Sequence, residues 1–221
     1  MTTVALIGAG RGLGAAVARR FGREGFSLAL ISRSQERVDA FAEELNAEGF
    51  TARGFEANVR DTRSLTEALD KAVQELGPIE VITYSPLPQK EFLRPLLETT
   101  AQDLEGAVEF SIYGPVAATH QVLQGMRALG RGTVLFINGG SGARPSAKVA
   151  GTSISFAGES AFAQMLHDEL AEENIHVGQL IIPGQITEGS ENKDPQVLAE
   201  KLWAMHAGRN EFRVFAEPMD Q

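Results

Sequence analysis

Ile7-Gly8-Ala9-Gly10-Arg11-Gly12-Leu13-Gly14 is the stretch on which the reading of this chain turns. It follows the apolar run Val4–Ile7 and opens an amphipathic run at about Gly12–Glu24, so it joins a strand to a helix. Gly8, Gly12 and Gly14 lack a Cβ, which lets backbone N–H groups come close to a phosphate at the positive end of the helix. The dinucleotide fingerprint Gly-x-Gly-x-x-Gly would need glycines at 8, 10 and 13, and Leu stands at 13. The spacing is instead Gly-x-x-x-Gly-x-Gly.

Outward from this turn, short apolar runs alternate with longer amphipathic ones to the end of the chain. Strands are predicted near residues 4–7, 27–31, 51–55, 81–83, 133–137, 177–182 and 213–215. Helices are predicted near residues 12–24, 35–48, 64–76, 101–129, 155–173 and 195–206. Ser34 and Asp194 stand where N-caps belong, Pro195 takes the first helical position, and Leu76-Gly77-Pro78 is a stop. Several strands lack polar alternation, as strands covered on both faces do. The pattern predicts an α/β fold: a doubly wound parallel β-sheet of about seven strands with helices on both faces, Rossmann-like, in one domain over residues 1–221. The segments 86–95 and 183–194, rich in Pro and Gly, are expected to be loops that wall a ligand site beyond the strand ends.

The chain has 221 residues, 43% hydrophobic and 22% charged, with a formal net charge of −9. That charge argues against nucleic acid as a partner, since binding a polyanion needs a net basic face. There is no cysteine, which removes disulfides and thiolate chemistry together, and the four histidines are too scattered to suggest a metal site. No apolar run approaches the roughly 20 residues needed to cross a bilayer. Without a signal-peptide pattern at Met1, a cytoplasmic protein is expected.

At the end of the second predicted strand, Ser32-Arg33-Ser34 carries a guanidinium where an acidic residue would accept bonds from ribose hydroxyls. Arg33 suits a 2′-phosphate, and Arg11 lies in the glycine turn. Together they favour NADP(H) over NAD(H).

The Gly-x-x-x-Gly-x-Gly turn, Asn58-Val59 and Pro183-Gly184-Gln185-Ile186-Thr187 occur in the order in which the short-chain dehydrogenase/reductase family has matching segments. The chain therefore resembles that family over nearly its whole length. The resemblance implies a cofactor site built by Gly8, Gly10, Arg11, Gly12, Leu13, Gly14, Ser32, Arg33, Asn58, Val59, Pro183, Gly184 and Ile186. It also implies hydride transfer with a small molecule as substrate, and a homo-oligomer (dimer or tetramer). In the family a Tyr transfers the proton, a Lys one helical turn later lowers its pKa, a Ser orients the substrate and an Asn completes a relay. Laid on this chain, that pattern puts Ser141 at the Ser, Ser155 at the Tyr, Glu159 at the Lys and Ser111 at the Asn. A serine hydroxyl is far too weak an acid to replace a phenol, and Glu159 reverses the assisting charge. The chain thus reads as an atypical member lacking the Tyr-x-x-x-Lys pair. The candidates for a relocated acid are Tyr84, Tyr113 and Glu159. The sequence leaves two other functions open: a cofactor-binding sensor or partner subunit without catalysis, and a non-redox lyase or isomerase.

Overall fold

A computed structural model describes residues 1–219 of the chain. Seven strands, β1 (Thr3–Ile7), β2 (Ser27–Ser32), β3 (Ala52–Glu56), β4 (Ile79–Tyr84), β5 (Gly132–Gly139), β6 (Ile175–Ile182) and β7 (Arg213–Phe215), form one sheet. Their order is β3-β2-β1-β4-β5-β6-β7, and every pairing is parallel. The predicted doubly wound fold is therefore the observed one. Successive side chains of a strand point to opposite faces, and the two cores divide on that rule. Ala5 and Ile7 of β1 enter one core with Ile82, Tyr84, Val134 and Phe136, whereas Val4 and Leu6 enter the other with Val81 and Leu135. Helices α1 (Leu13–Arg23), α2 (Gln35–Ala47) and α7 (Pro195–Gly208) cover the second face. Helices α3 (Thr62–Leu76), α4 (Ala101–Val108), α5 (Gly114–Leu129) and α6 (Ala150–Leu170) cover the first. Among the described residues, no helix is long and apolar enough to cross a membrane.

Two helices depart from the sequence reading, and both departures bear on the site. The expected helix over residues 101–129 is interrupted by a π-helical turn, Glu109–Tyr113. The Gly114 amide reaches back to the Glu109 carbonyl, and the next residue, Pro115, has no N–H. The Phe110 carbonyl is thus left without a helical donor, and the Tyr84 hydroxyl supplies one at 2.5 Å. Gly114 makes the approach possible, because a Cβ there would strike the Tyr84 hydroxyl and the Val59 carbonyl. The second departure is α6, which starts at Ala150 rather than Ser155, so Ser155 and Glu159 lie within it and not at its entry.

Candidate active site

Strand order reverses at β1, between β2 and β4, and a cleft of about 1060 Å³ opens beyond the carboxyl ends of these strands. Gly8, Gly10, Arg11, Ser32, Arg33, Asn58 and Val59 line it, together with Arg37, Arg60 and Phe110, which the sequence reading did not single out. The glycine turn is built for close approach. Gly8 holds φ +93°, and a Cβ on it would fall on the backbone of Pro86. Gly12 has open space where a Cβ would stand and serves as the N-cap of α1 with no side chain satisfying the first amides. Helices α2, α3, α4 and α7 are capped by Ser34, Asp61, Thr100 and Asp194, whereas α5 and α6, like α1, have no side-chain cap. The turn from Gly8 to Arg11 lines the cleft and leads into a helix start without a side-chain cap, an arrangement that fits the pyrophosphate of a dinucleotide. Leu13 and Gly14 border a small void behind the turn, against Thr83 and Ser85.

The arginines divide into two kinds. Arg11 is held by Glu44 at 2.6 Å, and Arg60 is tied to Glu109 at 2.8 Å and to Gln89 at 2.9 Å. Arg33 and Arg37 line the cleft, and among the described residues neither side chain meets an acidic partner. Arg37 sits in the first turn of α2, where the helix dipole disfavours a cation. A basic residue three positions after the N-cap Ser34 was the signal in the sequence that could have found it.

The expected catalytic residues do not meet at this cleft. Ser155 and Glu159 lie on α6 and are buried at 3% and 1% exposure. Asn138 of β5 donates to the Glu159 carboxylate at 3.1 Å. Burial dominates, and it pushes the Glu159 carboxyl up to about 8, while the bond from Asn138 pulls in the opposite direction. The Ser111 hydroxyl faces the same carboxyl from the π-helical turn, yet its Oγ completes no hydrogen bond of good geometry, and neither does that of Ser155. Ser141 is half-buried in the turn after β5, with its Oγ at 3.4 Å from the Thr152 hydroxyl. Tyr84 lies in the core, where burial and the nearby Glu159 push its phenol well above the ordinary value. Its hydroxyl is committed to the Phe110 carbonyl. Tyr113 is on the outer surface at 55% exposure and does not border the cleft. Pro183, Gly184 and Ile186 follow β6 at the same end of the sheet, without bordering this cleft. Lys193 fastens that loop by bonds to the Pro183 carbonyl at 3.2 Å and to Glu217 at 2.7 Å. Sequence reasoning missed Asn138 and Gln179, although two side-chain amides inside mostly apolar strands were visible in the sequence.

This fold, with a glycine-turn cleft at the switch point of the sheet, defines a dinucleotide-binding α/β protein. The short chain dehydrogenase family model matches residues 2–197, and the chain belongs to that family. It is 29% identical over 181 residues to a 2,3-dihydro-2,3-dihydroxybenzoate dehydrogenase of Bacillus subtilis, covering 81% of this chain and 67% of that one. A short-chain dehydrogenase structure from Rhodopseudomonas palustris superposes with a TM-score of 0.86 at 26% identity, covering 99% of each chain. A metagenomic short-chain oxidoreductase in complex with NADP shares the fold, with a TM-score of 0.83 at 22% identity over 99% of this chain and 98% of that one. Among curated relatives the chain spans from 10% to 69% of the relative's own length, and about 60% or less of several of them.

Proposed function

We propose that this chain, as one dinucleotide-binding domain, is an NADP(H)-dependent oxidoreductase of a small carbonyl, imine or alcohol, in which Glu159 replaces the family's Tyr and Lys as the group that carries the proton. The observation that carries the reading is the pair of guanidiniums, Arg33 and Arg37, which meet no acidic partner among the described residues, beside a glycine turn with no side-chain cap. They offer a 2′-phosphate two bidentate partners, while Gly10 and Gly12 leave the first amides of α1 to the pyrophosphate. Arg11, held by Glu44, contributes field rather than a free fork. The bound cofactor would supply or accept the hydride. Glu159, lifted to about 8, holds a proton at neutral pH and can release one near it, which an ordinary carboxyl cannot do. Tyr84 and Tyr113 are assigned no proton transfer, the first because its hydroxyl is bound to a carbonyl and the second because it stands on the outer surface at 55% exposure. Ser141 is the hydroxyl proposed to orient substrate. Assembly as a dimer or tetramer belongs to the same proposal.

A second reading has an observation of its own. Ser155 and Glu159 are sealed from solvent, which suits a protein that holds NADP(H) without turnover, as a sensor or partner subunit. Titration with NADPH, NADP⁺ and NADH, followed by turnover on a panel of carbonyls and imines, separates the two. Binding with turnover that Glu159→Gln abolishes supports the enzyme. Tight NADPH binding with no turnover supports the sensor, and failure to bind any of the three refutes both.

A further inference from the structure

By strand parity, Asn138 and Gln179 point into the same core as Val134, Phe136 and Val177, where apolar residues surround them. A buried amide in such a place is costly unless its polar atoms are bonded. Gln179 Nε2 donates to Asn138 Oδ1 at 2.8 Å and to Ser160 Oγ at 2.6 Å. The Ser160 hydroxyl donates in turn to the Gly142 carbonyl at 3.1 Å. At the sheet's edge, Arg213 of β7 donates through Nε to Gln179 Oε1 at 2.8 Å. The chain ends where Asn138 Nδ2 donates to Glu159 Oε1.

The sense of these bonds follows from chemistry. A guanidinium has donors only, so Gln179 must turn its oxygen to Arg213 and its nitrogen to Asn138. Asn138 must then turn its oxygen to Gln179 and its nitrogen to Glu159. Every link therefore runs from the cation toward the carboxylate. An amide that accepts from a cation becomes a better donor at its own nitrogen, and aligned links in a low-dielectric interior reinforce one another.

We propose that Arg213 is a positioning residue for Glu159, acting through Gln179 and Asn138 to orient its carboxyl and stabilise its anion from the far edge of the sheet. The groups packed around Glu159 leave that task to the amide chain. Ser155 lies one turn earlier on α6, Ser111 faces it from the π-helical turn, and Tyr84 of β4 opposes the negative charge. Among the described residues no cation pairs with Glu159 directly. The kinetic meaning of this device rests on Glu159 as the proton carrier; the ionisation of Glu159 can be read without turnover.

The test is an infrared pH titration of the Glu159 carboxyl, its band assigned by difference against Glu159→Gln. Arg213→Met keeps much of the apolar stem and removes the donor, and is expected to move the midpoint upward by about half a pH unit or more. Arg213→Lys, which restores a cationic donor, should recover most of that shift. Arg209→Met removes an equal charge from an arginine bonded to Asn174, outside the chain, and should move the midpoint by no more than about a tenth of a unit. If Arg213→Met does not fold, Arg213→Gln is read in its place with the same expected direction. An unmoved midpoint in the Arg213 variant overturns the proposal, as does an equal shift in Arg209→Met. Because no substrate or cofactor enters the measurement, a negative result here leaves the proposed activity to its own assay.

Discussion

Replacing Glu159 by Gln tests the buried carboxyl most directly, because the exchange is isosteric and still accepts the bond from Asn138. Its carboxyl stands at about 8 in the fold against an ordinary 4.5. Between those values the folded protein holds a proton that the unfolded chain has released, so the fold loses stability as pH rises. At about 1.4 kcal/mol per pH unit, the penalty grows to a few kcal/mol, on the order of 3–5, between pH 7 and pH 8. The stability of Glu159→Gln relative to the parent should accordingly increase by about 1.4 kcal/mol per pH unit from about pH 5 to about pH 8, then level off. Urea unfolding at several pH values reads this. With a slope of about 2 kcal/mol/M, the difference in midpoint should grow by about 0.7 M per pH unit. The difference between the two proteins matters more than either curve, because His176 and His206 also titrate. Burial holds both near about 4, which removes stability as pH falls below their ordinary 6.5, in parent and variant alike. A midpoint difference that stays flat across this range refutes a proton-holding Glu159.

Arg33→Ala and Arg37→Ala should each weaken NADPH binding about 10- to 100-fold while leaving NADH within about threefold, since each removes a charge-assisted bond to the 2′-phosphate alone. Fluorescence or calorimetric titration with the two cofactors checks the contrast, and an equal loss for both would transfer these arginines to a general electrostatic role. Tyr84→Phe should cost about 1–3 kcal/mol of stability by leaving the Phe110 carbonyl unsatisfied, with NADPH affinity changed by no more than about twofold. Denaturant unfolding and the same cofactor titration measure the two quantities, and turnover lost with unchanged binding would return Tyr84 to the chemistry.

The fold was legible because its signals are local. The glycine turn after β1, the Ser34 and Asp194 caps, and apolar strands with little alternation each arise from steric or hydrogen-bond preferences spanning a few residues. The interrupted helix was less legible: Pro115 removes a donor, but the turn becomes π-helical where Tyr84, distant in sequence, meets the Phe110 carbonyl. At the candidate site, Arg33 could be read from its place after β2, whereas Arg37 required knowing that the first turn of α2 faces the cleft.

By itself, then, the sequence determined the order of strands and helices, the phosphate-accommodating turn and the presence of Ser155 and Glu159 one helical turn apart. Tertiary structure alone decided what those residues experience. Burial of Glu159 on the face of α6 turned to β5 raises an ordinary carboxyl to about 8. The parity of β5 and β6 lines up Asn138 and Gln179 between it and Arg213, linked residues 21 to 41 positions apart in the sequence. Proton affinity depends on desolvation and on the direction of neighbouring dipoles, and both are fixed only when distant segments pack together.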